Sequence, residues 1–406
     1  EETDYLADQC RMIDPILGAE GPLTASIVLV GEAWGATEAH LRRPFVGKSG
    51  RLLDSILAAV PIDRAALRIT NLVKARPLDK DISPWFKKMT KAEFGAAEGC
   101  LKVAVPISWD STRYEYYGLT PLGMEARASL LEELALYTNA RVIVTVGASS
   151  TFALTGRVPI TKMRGSPLQM PGLPLILPTL HPAGVLRGQY LHRFDILMDI
   201  RKAVEMASPG FKLPTRTLLH SPSLDEALYH LALLRQSPLV AFDIETVGNE
   251  IVCIAFASCL DWAISIPFFG YFGADEPRVR EAVGTLLADP EVAKLAHHIM
   301  FDRTLLERDG YSFAGRYEDT MVLHAIAHPE VGEIKGNTLN ALSAKYTFEP
   351  FYKEDGKASR RLGDFTRLRE YNCKDAVITV EVWEKLAHVR EDPIYMAMYE
   401  YTMSML

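Results

Sequence analysis

The sequence predicts an α/β protein with two domains, and three observations support this prediction. The chain has 406 residues, of which 48% are hydrophobic, enough to bury more than one core. In the first half, short apolar runs alternate with helix-like segments, a pattern typical of a largely parallel sheet. In the second half, three strands follow in quick succession before several helices, which predicts a mixed sheet flanked by helices.

The first half supplies its elements in alternation. The apolar runs predict strands at 26–30, 141–146 and 175–180. The helical pattern predicts helices at 50–60, 124–136 and 148–155. Residues 78–122 break the alternation with aromatic and lysine residues, so we expect an insertion there with its own small core.

The second half begins after a stretch rich in Pro, Ser, Thr and Gly. Pro209, Pro214 and Pro222 prevent a long helix from crossing it, which places a domain boundary near residue 212. Strands are predicted at 239–243, 250–257 and 262–267, and helices at 276–288, 301–309 and 375–388. The predicted domains are residues 1–210 and 211–392, with 393–406 beginning a connection to a further domain.

Composition excludes several classes of protein. The five cysteines are odd in number and form no C-x-x-C pair, which argues against a disulfide framework and a cysteine zinc site. Five prolines in the uncharged stretch 165–186 exclude a membrane span. The acidic start differs from a secretory signal. We therefore expect a cytoplasmic protein, or one of the host cytoplasm if viral, with no membrane partner.

The charge distribution suggests a nucleic-acid partner. No Asp or Glu occurs between Glu133 and Asp195, a gap of 61 residues that contains six basic residues. A polyanion could lie along such a segment without meeting a repelling carboxylate, and we expect Arg164 and Arg187 to contact DNA. The alternative is a run of buried strands that excludes acidic residues by chance.

Carboxylates in the second half follow a pattern suited to metal binding. Asp243 and Glu245 end an apolar strand and project from the same face, two residues apart. Asp302 ends a second apolar stretch, and Tyr371 and Asp375 lie four residues apart, on one face of a helix. Four such carboxylates could hold two divalent ions about 4 Å apart and hydrolyse a phosphodiester. Any one of them alone is more simply a helix cap or a solvated residue.

These residues resemble the motifs of the DEDD superfamily of 3′-5′ exonucleases, in its tyrosine-bearing branch. Residues 242–246, 298–302 and 371–376 are similar to the three exonuclease motifs of family A DNA polymerase proofreading domains, except that His298 replaces the usual Asn. The resemblance implies a ribonuclease H-like fold. It also implies Mg²⁺ or Mn²⁺ as the metal, with Asp243, Glu245, Asp302 and Asp375 as ligands and Tyr371 orienting the water.

The same resemblance implies a biological setting. The chain would be the N-terminal portion of a longer polymerase from a phage or bacterium, without polymerase activity of its own. Its partners would be single-stranded 3′ ends of DNA and other replisome proteins. Because related DEDD nucleases trim RNA, RNA processing is a competing interpretation.

Polar and aromatic side chains follow the predicted strands of the first half. Residues 31–35 form a glycine-bracketed turn that carries Glu32, and Phe45 lies on a Pro-containing loop. Asn71 and His181 stand at the ends of two further strands. Each has a structural alternative: a plain turn, a core Phe, a turn Asn or a capping His.

Together these residues resemble family 4 uracil-DNA glycosylases over about residues 5–203. The resemblance implies an α/β/α sandwich that acts on uracil-containing DNA by flipping the base. Phe45 would stack on uracil, and the Asn71 amide would pair with O4 and N3–H. His181 would stabilise charge at O2, and Glu32 would position water near the sugar. Residues 182–187 would press on the duplex.

Two departures from that family affect the prediction. Cys10 lacks its nearby partner and Ala75 replaces a cluster ligand, so that only Cys100 remains as a further ligand; we expect no iron–sulfur cluster. Trp34 replaces the customary Pro at the pocket mouth. The first domain is therefore interpreted either as a glycosylase or as a non-catalytic module that binds DNA or senses uracil.

Overall fold

The computed structural model describes residues 18–107, 113–331, 334–353 and 363–406. The chain divides into two compact units, with the division between Lys212 and Leu213. Cys10, expected above as a leftover cluster cysteine, lies outside the described residues.

The described part of the first unit contains two sheets. Its strands in chain order are β1 (Ile27–Ala33), β2 (Arg68–Val73), β3 (Phe86–Met89), β4 (Lys102–Pro106), β5 (Tyr114–Leu119), β6 (Val142–Val146) and β7 (Leu175–Thr179). Four of them form a wholly parallel sheet in the order β2-β1-β6-β7. Every residue of β2 and β6 is buried, as expected of parallel strands covered on both faces. The apolar runs of the sequence therefore form the centre of this unit.

Helices connect the parallel strands. They are α1 (Ala36–Leu41), α2 (Lys48–Leu57), α3 (Lys91–Ala96), α4 (Pro121–Ala135), α5 (Ala148–Thr155), α6 (Ile160–Met163), α7 (Ala183–Leu186) and α8 (His192–Met206). The Thr120 side chain caps α4 by accepting a hydrogen bond from the Gly123 N–H at 3.1 Å. The remaining strands, β3, β5 and β4, form an antiparallel sheet within the predicted insertion.

The second unit has one mixed sheet. Its strands are β8 (Thr217–Leu219), β9 (Leu239–Val247), β10 (Glu250–Ala257), β11 (Trp262–Pro267), β12 (Ala293–Ala296) and β13 (Tyr317–Asp319). The order is β13-β12-β9-β10-β11-β8, with β9, β10 and β11 antiparallel and the other pairs parallel. The α/β class predicted from the sequence is confirmed, with a parallel sheet in the first unit and a mixed sheet in the second.

Helices cover both faces of the mixed sheet. They are α9 (Leu224–Leu234), α10 (Glu276–Leu287), α11 (Ile299–Arg308), α12 (Thr320–Ala327), α13 (Leu339–Tyr346), α14 (Phe365–Lys385), α15 (Ala387–Arg390) and α16 (Pro393–Met405). Phe242 and Ile244 of β9 join the core beneath α9 and α10, whereas Ala241 joins the core beneath α14. Since side chains alternate along a strand, Asp243 and Glu245 share the α14 face with Ala241.

The start of α14 differs from the prediction, and the structure adds a helix at the end of the chain. Helix α14 begins at Phe365, ten residues before the predicted start, because Asp364 caps it through the Arg367 N–H at 3.1 Å. Of residues 393–406, Pro393–Met405 form α16, whose buried Tyr399 donates to Glu318 at 2.8 Å. Among the described residues, no helix combines the length and the hydropathy that a membrane span requires.

Candidate active sites

Strand β9 and helix α14 create an acidic centre in the second unit. Carboxylate oxygens of Asp243, Glu245 and Asp375 all lie within 4.8 Å of one another. Glu245 and Asp375 are only 2% and 5% exposed, so their charges are poorly screened by water. Asn372 fixes the first carboxylate by donating to Asp243 Oδ2 at 2.8 Å and to its backbone oxygen at 2.9 Å. The strand spacing and the helix spacing thus place three predicted ligands in one cluster.

Asp302 reaches the same region from α11. The Asp319 carboxylate holds the turn before this helix, accepting the His298 N–H at 3.1 Å and the Ile299 N–H at 2.8 Å. His298 has a left-handed backbone with φ of 70° and an exposed side chain. Asp302 itself is 5% exposed and lies outside the group of three carboxylates.

Electrostatics show that the four acids interact. Burial, followed by the charges of Asp375, Asp302 and Glu245, raises the pKa of Asp243 well above its usual range. Burial, followed by the charge of Glu245, likewise raises the pKa of Asp302. Several buried carboxylates this close are stable as anions only with added positive charge. Convergent oxygen donors of this kind fit hard divalent cations such as Mg²⁺ and Mn²⁺.

Two residues at this centre were missed by the sequence analysis. The Lys353 ammonium lies 2.5 and 2.6 Å from the two oxygens of Asp375 and donates to the Tyr371 hydroxyl at 3.1 Å. Tyr352, which is 5% exposed, donates its hydroxyl to Asp375 Oδ1 at 2.5 Å. Neither residue lies in a segment with a clear helical or strand periodicity of hydrophobic residues, and no pattern in the sequence pairs them with Asp375.

The polar residues of the first unit converge at the carboxyl ends of β1 and β2. Gly31 pairs with Asn71 across the two strands, and a Cβ at Gly31 would lie 2.2 Å from Asn71 Oδ1 and 2.6 Å from Phe45 Cε2. Only glycine leaves room for these two side chains to approach. Among the described residues, the Asn71 side chain has no hydrogen-bond partner, although the residue is only 2% exposed. Its amide is therefore free to bind a ligand.

Phe45 and His181 form the neighbouring wall. Their ring centroids are 6.0 Å apart with planes at 31°. The Ala183 N–H donates to His181 Nδ1 at 3.1 Å, and burial lowers the pKa of this imidazole. Since Nδ1 accepts that bond, the neutral ring carries its proton on Nε2, where it can donate to a ligand.

Glu32 lies against the start of α5. Its carboxylate accepts the Ser149 N–H at 3.3 Å, and a Cβ at Gly147 would lie 2.7 Å from Glu32 Oε1. Gly147 also has a φ of 106°, a conformation that favours glycine. The Glu32 charge acts on His181, so the two predicted groups lie near each other.

Comparison with known proteins identifies the first unit. Residues 19–203 match the model of the uracil DNA glycosylase superfamily. The type-4 uracil-DNA glycosylase of Thermotoga maritima is 32% identical over 191 residues, which is 46% of this chain and 81% of that protein. The chain belongs to the uracil DNA glycosylase superfamily. The type-4 uracil-DNA glycosylase of Sulfurisphaera tokodaii is 27% identical and is covered over 73% of its length, against 46% of this chain.

Solved structures give a second, weaker set of similarities. Escherichia coli RNase D, an exoribonuclease involved in structured RNA processing, is 14% identical with a TM-score of 0.35, over 47% of this chain and 50% of that one. The catalytic core of RRP6 from Trypanosoma brucei is 12% identical with a TM-score of 0.37, over 48% and 52%. The chain spans about half the length of these two structures. Similarity of this size does not establish a shared activity.

A carboxylate orders the loop that carries Phe45 in the glycosylase domain. Glu38 on α1 accepts the N–H groups of Val46 at 3.2 Å and Gly47 at 2.7 Å. Phe45 itself has a φ of 51°, which is unfavourable for an aromatic residue and must be held by its surroundings. Glu38 was not predicted from the sequence, although its position in the first turn of the helix after β1 is a usable signal.

Arg164 of the glycosylase domain is buried in ion pairs, which argues against the contact with DNA that the sequence predicts. Its side chain is 9% exposed and forms ion pairs with Asp199 and with Asp195, the latter at 3.0 Å. Asp199 is fully buried and also accepts the Thr179 hydroxyl at 2.7 Å. The acid-free stretch of sequence therefore meets acidic partners in α8. Arg187, by contrast, is exposed just after α7 and beside the exposed Leu186.

The cysteines of the glycosylase domain do not fit the iron–sulfur cluster that the family resemblance implies. Of its described residues only Cys100 carries a thiol, and with Cys10 this domain has two of the five cysteines of the chain. Ala75 is 2% exposed, and its backbone oxygen accepts the Trp34 N–H at 3.3 Å. Two thiols do not fit a cluster that needs four ligands. Beside Ala75, Lys74 forms a buried ion pair with Glu133.

Proposed function

We propose that residues 213–406 form a metal-dependent 3′-5′ exonuclease that acts on single-stranded DNA ends. The observation that carries this proposal is the cluster of Asp243, Glu245 and Asp375 oxygens within 4.8 Å. These three residues would hold one Mg²⁺ or Mn²⁺ ion, and Asp302 would help to hold a second. Ions at such a site activate water and neutralise the charge on the phosphate.

The chain's own residues would position the reacting groups. Tyr371 lies one helical turn before Asp375 on α14, so its hydroxyl faces the acidic centre and would orient the attacking water. Asn372 keeps Asp243 in place through its amide. Because Glu245, Asp302 and Asp375 are buried, bulk water screens their charges poorly, which strengthens each of these interactions.

The test is digestion of a 5′-labelled single-stranded DNA with Mg²⁺. We expect a ladder of shortened products that EDTA prevents, that Asp243→Asn abolishes, and that Tyr371→Phe slows by about 10²-fold or more. Glu384→Gln, an exposed acid on the same helix, is the matched control and should digest DNA normally. A ladder that persists in Asp243→Asn contradicts the proposal, and preference for an RNA strand of equal sequence favours RNA processing.

We propose separately that the glycosylase domain binds, and excises, uracil from DNA. The convergence of Phe45, Asn71 and His181 on one pocket supports this proposal. Phe45 would stack on the flipped base, and the Asn71 amide would donate to O4 and accept from N3–H, an arrangement that cytosine reverses. His181 Nε2–H would stabilise negative charge on the departing base, and Glu32 would position water.

Alkali cleavage of uracil-containing duplex DNA tests this second activity. Wild-type protein should produce a break at uracil, and Asn71→Ala should suppress it by at least about tenfold, because the base loses its specific partner. Asn139→Ala, an exposed amide outside the pocket, is the control. Binding of uracil DNA without a break would favour the non-catalytic module, an outcome for which the buried Trp34, in place of the customary Pro of the resembled family, is the specific reason.

The biological setting is also a proposal. A chain with both units would serve DNA replication or repair, as the N-terminal portion of a polymerase that works with other replisome proteins. The native reading frame tests this idea, since a polymerase region after Leu406 would support it and a stop codon there would contradict it.

A further inference from the structure

The acidic centre of the second unit includes the positively charged side chain of Lys353. Lys353 Nζ lies 2.5 Å from Asp375 Oδ1 and 2.6 Å from Oδ2. It therefore lies near the line that bisects the carboxylate, where a cation bound through both oxygens would also lie. Its side chain is only 16% exposed and that of Asp375 is 8% exposed, so the contact is not a surface ion pair.

The remaining contacts show what this ammonium does. Asp375 Oδ1 also accepts the Tyr352 hydroxyl at 2.5 Å, so that donors occupy both oxygens of the carboxylate. Lys353 donates to Tyr371 at 3.1 Å and thereby spans the two residues that α14 brings to the centre. Three carboxylates cluster here with Asp302 nearby, and among the described residues Lys353 offsets part of the charge around Asp243 as well. An isolated acidic cluster of this kind would be costly to bury.

We propose that Lys353 occupies the ion position on Asp375 until a divalent ion displaces it, so that this lysine sets the ion concentration at which the nuclease centre fills. The inference rests on the proposed function in one respect, that the centre takes divalent ions. An ion cannot bind both Asp375 oxygens while the ammonium remains between them. Binding of the ion and release of the lysine are therefore one exchange, and the affinity for the ion is reduced by the strength of the Lys353 contact.

Titration calorimetry with Mn²⁺ alone, on the full 406-residue chain, tests the exchange. We expect Lys353→Met and Lys353→Gln to bind Mn²⁺ at least about tenfold more tightly than wild type, because a competing charge is gone. Lys353→Arg keeps that charge and should bind no more tightly than wild type. Lys385→Met removes an exposed lysine from the end of α14, the helix that carries Asp375, and its Mn²⁺ affinity should match that of wild type.

A double variant locates the effect. In Lys353→Met/Asp375→Asn the gain in Mn²⁺ affinity expected from Lys353→Met should disappear, since the carboxylate that Lys353 contacts is gone. Circular dichroism in EDTA checks that each variant is folded, and the Gln variant keeps the test valid if Met is not tolerated. If wild type binds Mn²⁺ and both Lys353→Met and Lys353→Gln bind it no more tightly than wild type, this inference is wrong and the nuclease proposal is unaffected. Absence of Mn²⁺ binding in wild type and in every variant overturns the nuclease proposal together with it.

Discussion

Replacement of Asp243 by Asn is expected to stabilise the second unit in the absence of divalent ions while it abolishes nuclease activity. The carboxylate of Asp243 lies within 4.8 Å of those of Glu245 and Asp375. The substitution removes one negative charge and keeps the shape of the side chain, and the Asn372 amide still finds an oxygen acceptor.

The magnitude follows from these distances. Two unit charges 4.8 Å apart repel each other by about 3.5 kcal/mol at an effective dielectric constant of about 20. Two such pairs, offset by the attraction of Lys353, leave a net repulsion of about 3 kcal/mol on Asp243. An acid can escape this repulsion by binding a proton, so the penalty cannot exceed about 1.4 kcal/mol for each pH unit above its unfolded pKa of about 3.9.

The sign of the pH dependence follows from the same argument. The folded-state pKa of Asp243 is raised, so this acid costs stability as the pH rises from its unfolded pKa to its folded pKa. Below the unfolded pKa the acid is neutral in both states and costs nothing. The gain from Asn should therefore be about 3 kcal/mol at pH 8 and fall below about 1.5 kcal/mol at pH 5.

Differential scanning calorimetry in EDTA measures the effect. The unfolding transition of the second unit should be the one whose melting temperature rises with Mg²⁺ in wild type. Asp243→Asn should raise that melting temperature by roughly 6–12 °C at pH 8 without Mg²⁺. With saturating Mg²⁺ the wild type should recover or exceed the stability of the variant. Asp225→Asn, an exposed acid, is the control. A transition in EDTA that is unchanged or lower at pH 8 would refute the repulsion argument.

Three further substitutions test the glycosylase domain. Gly31→Ala should weaken binding of uracil-containing DNA at least about tenfold in a fluorescence anisotropy titration, because its Cβ would lie 2.2 Å from the Asn71 amide oxygen; normal binding would contradict the close approach. Arg164→Met should lower the free energy of unfolding by about 3–5 kcal/mol in urea titrations, since Asp199 is left buried and unpaired. Burial already raises the pKa of Asp199, so this loss should grow as the pH rises, and a loss independent of pH would contradict it. Arg187→Met should leave stability unchanged but reduce the salt dependence of DNA binding by about one ion, and an unchanged salt slope would place Arg187 outside the interface.

Much of the fold was predictable because its signals are local. Strands β6 and β10 and helix α5 have bounds that agree with the predicted ones within a residue, since each is a short segment of mostly apolar or small residues with a Gly at or near an end. Helix α14 was predicted too short because its first turns are polar, and only the Asp364 cap marks where it begins. A single N-cap residue predicts a helix start only weakly from the sequence, although in the folded protein it is sufficient to begin the helix.

The same contrast holds for the two sites. The pairs Asp243 with Glu245 and Tyr371 with Asp375 follow from the repeat of a strand and of a helix, which fix the face on which a side chain lies. The pairing of Arg164 with Asp199 and of Lys353 with Asp375 does not follow from any repeat, because the partners come from separate elements.

By itself, the sequence predicts which residues alternate in and out of each strand, a division of the chain near residue 212, and which acids share a face. Only the tertiary structure decided that one arginine of the acid-free segment is buried against two aspartates and that a lysine stands between the oxygens of a proposed metal ligand. The physical reason is that periodicity is set by backbone geometry over a few residues. The pairing of charges is instead set by which distant segments the packed core brings together, and by how little water remains between them.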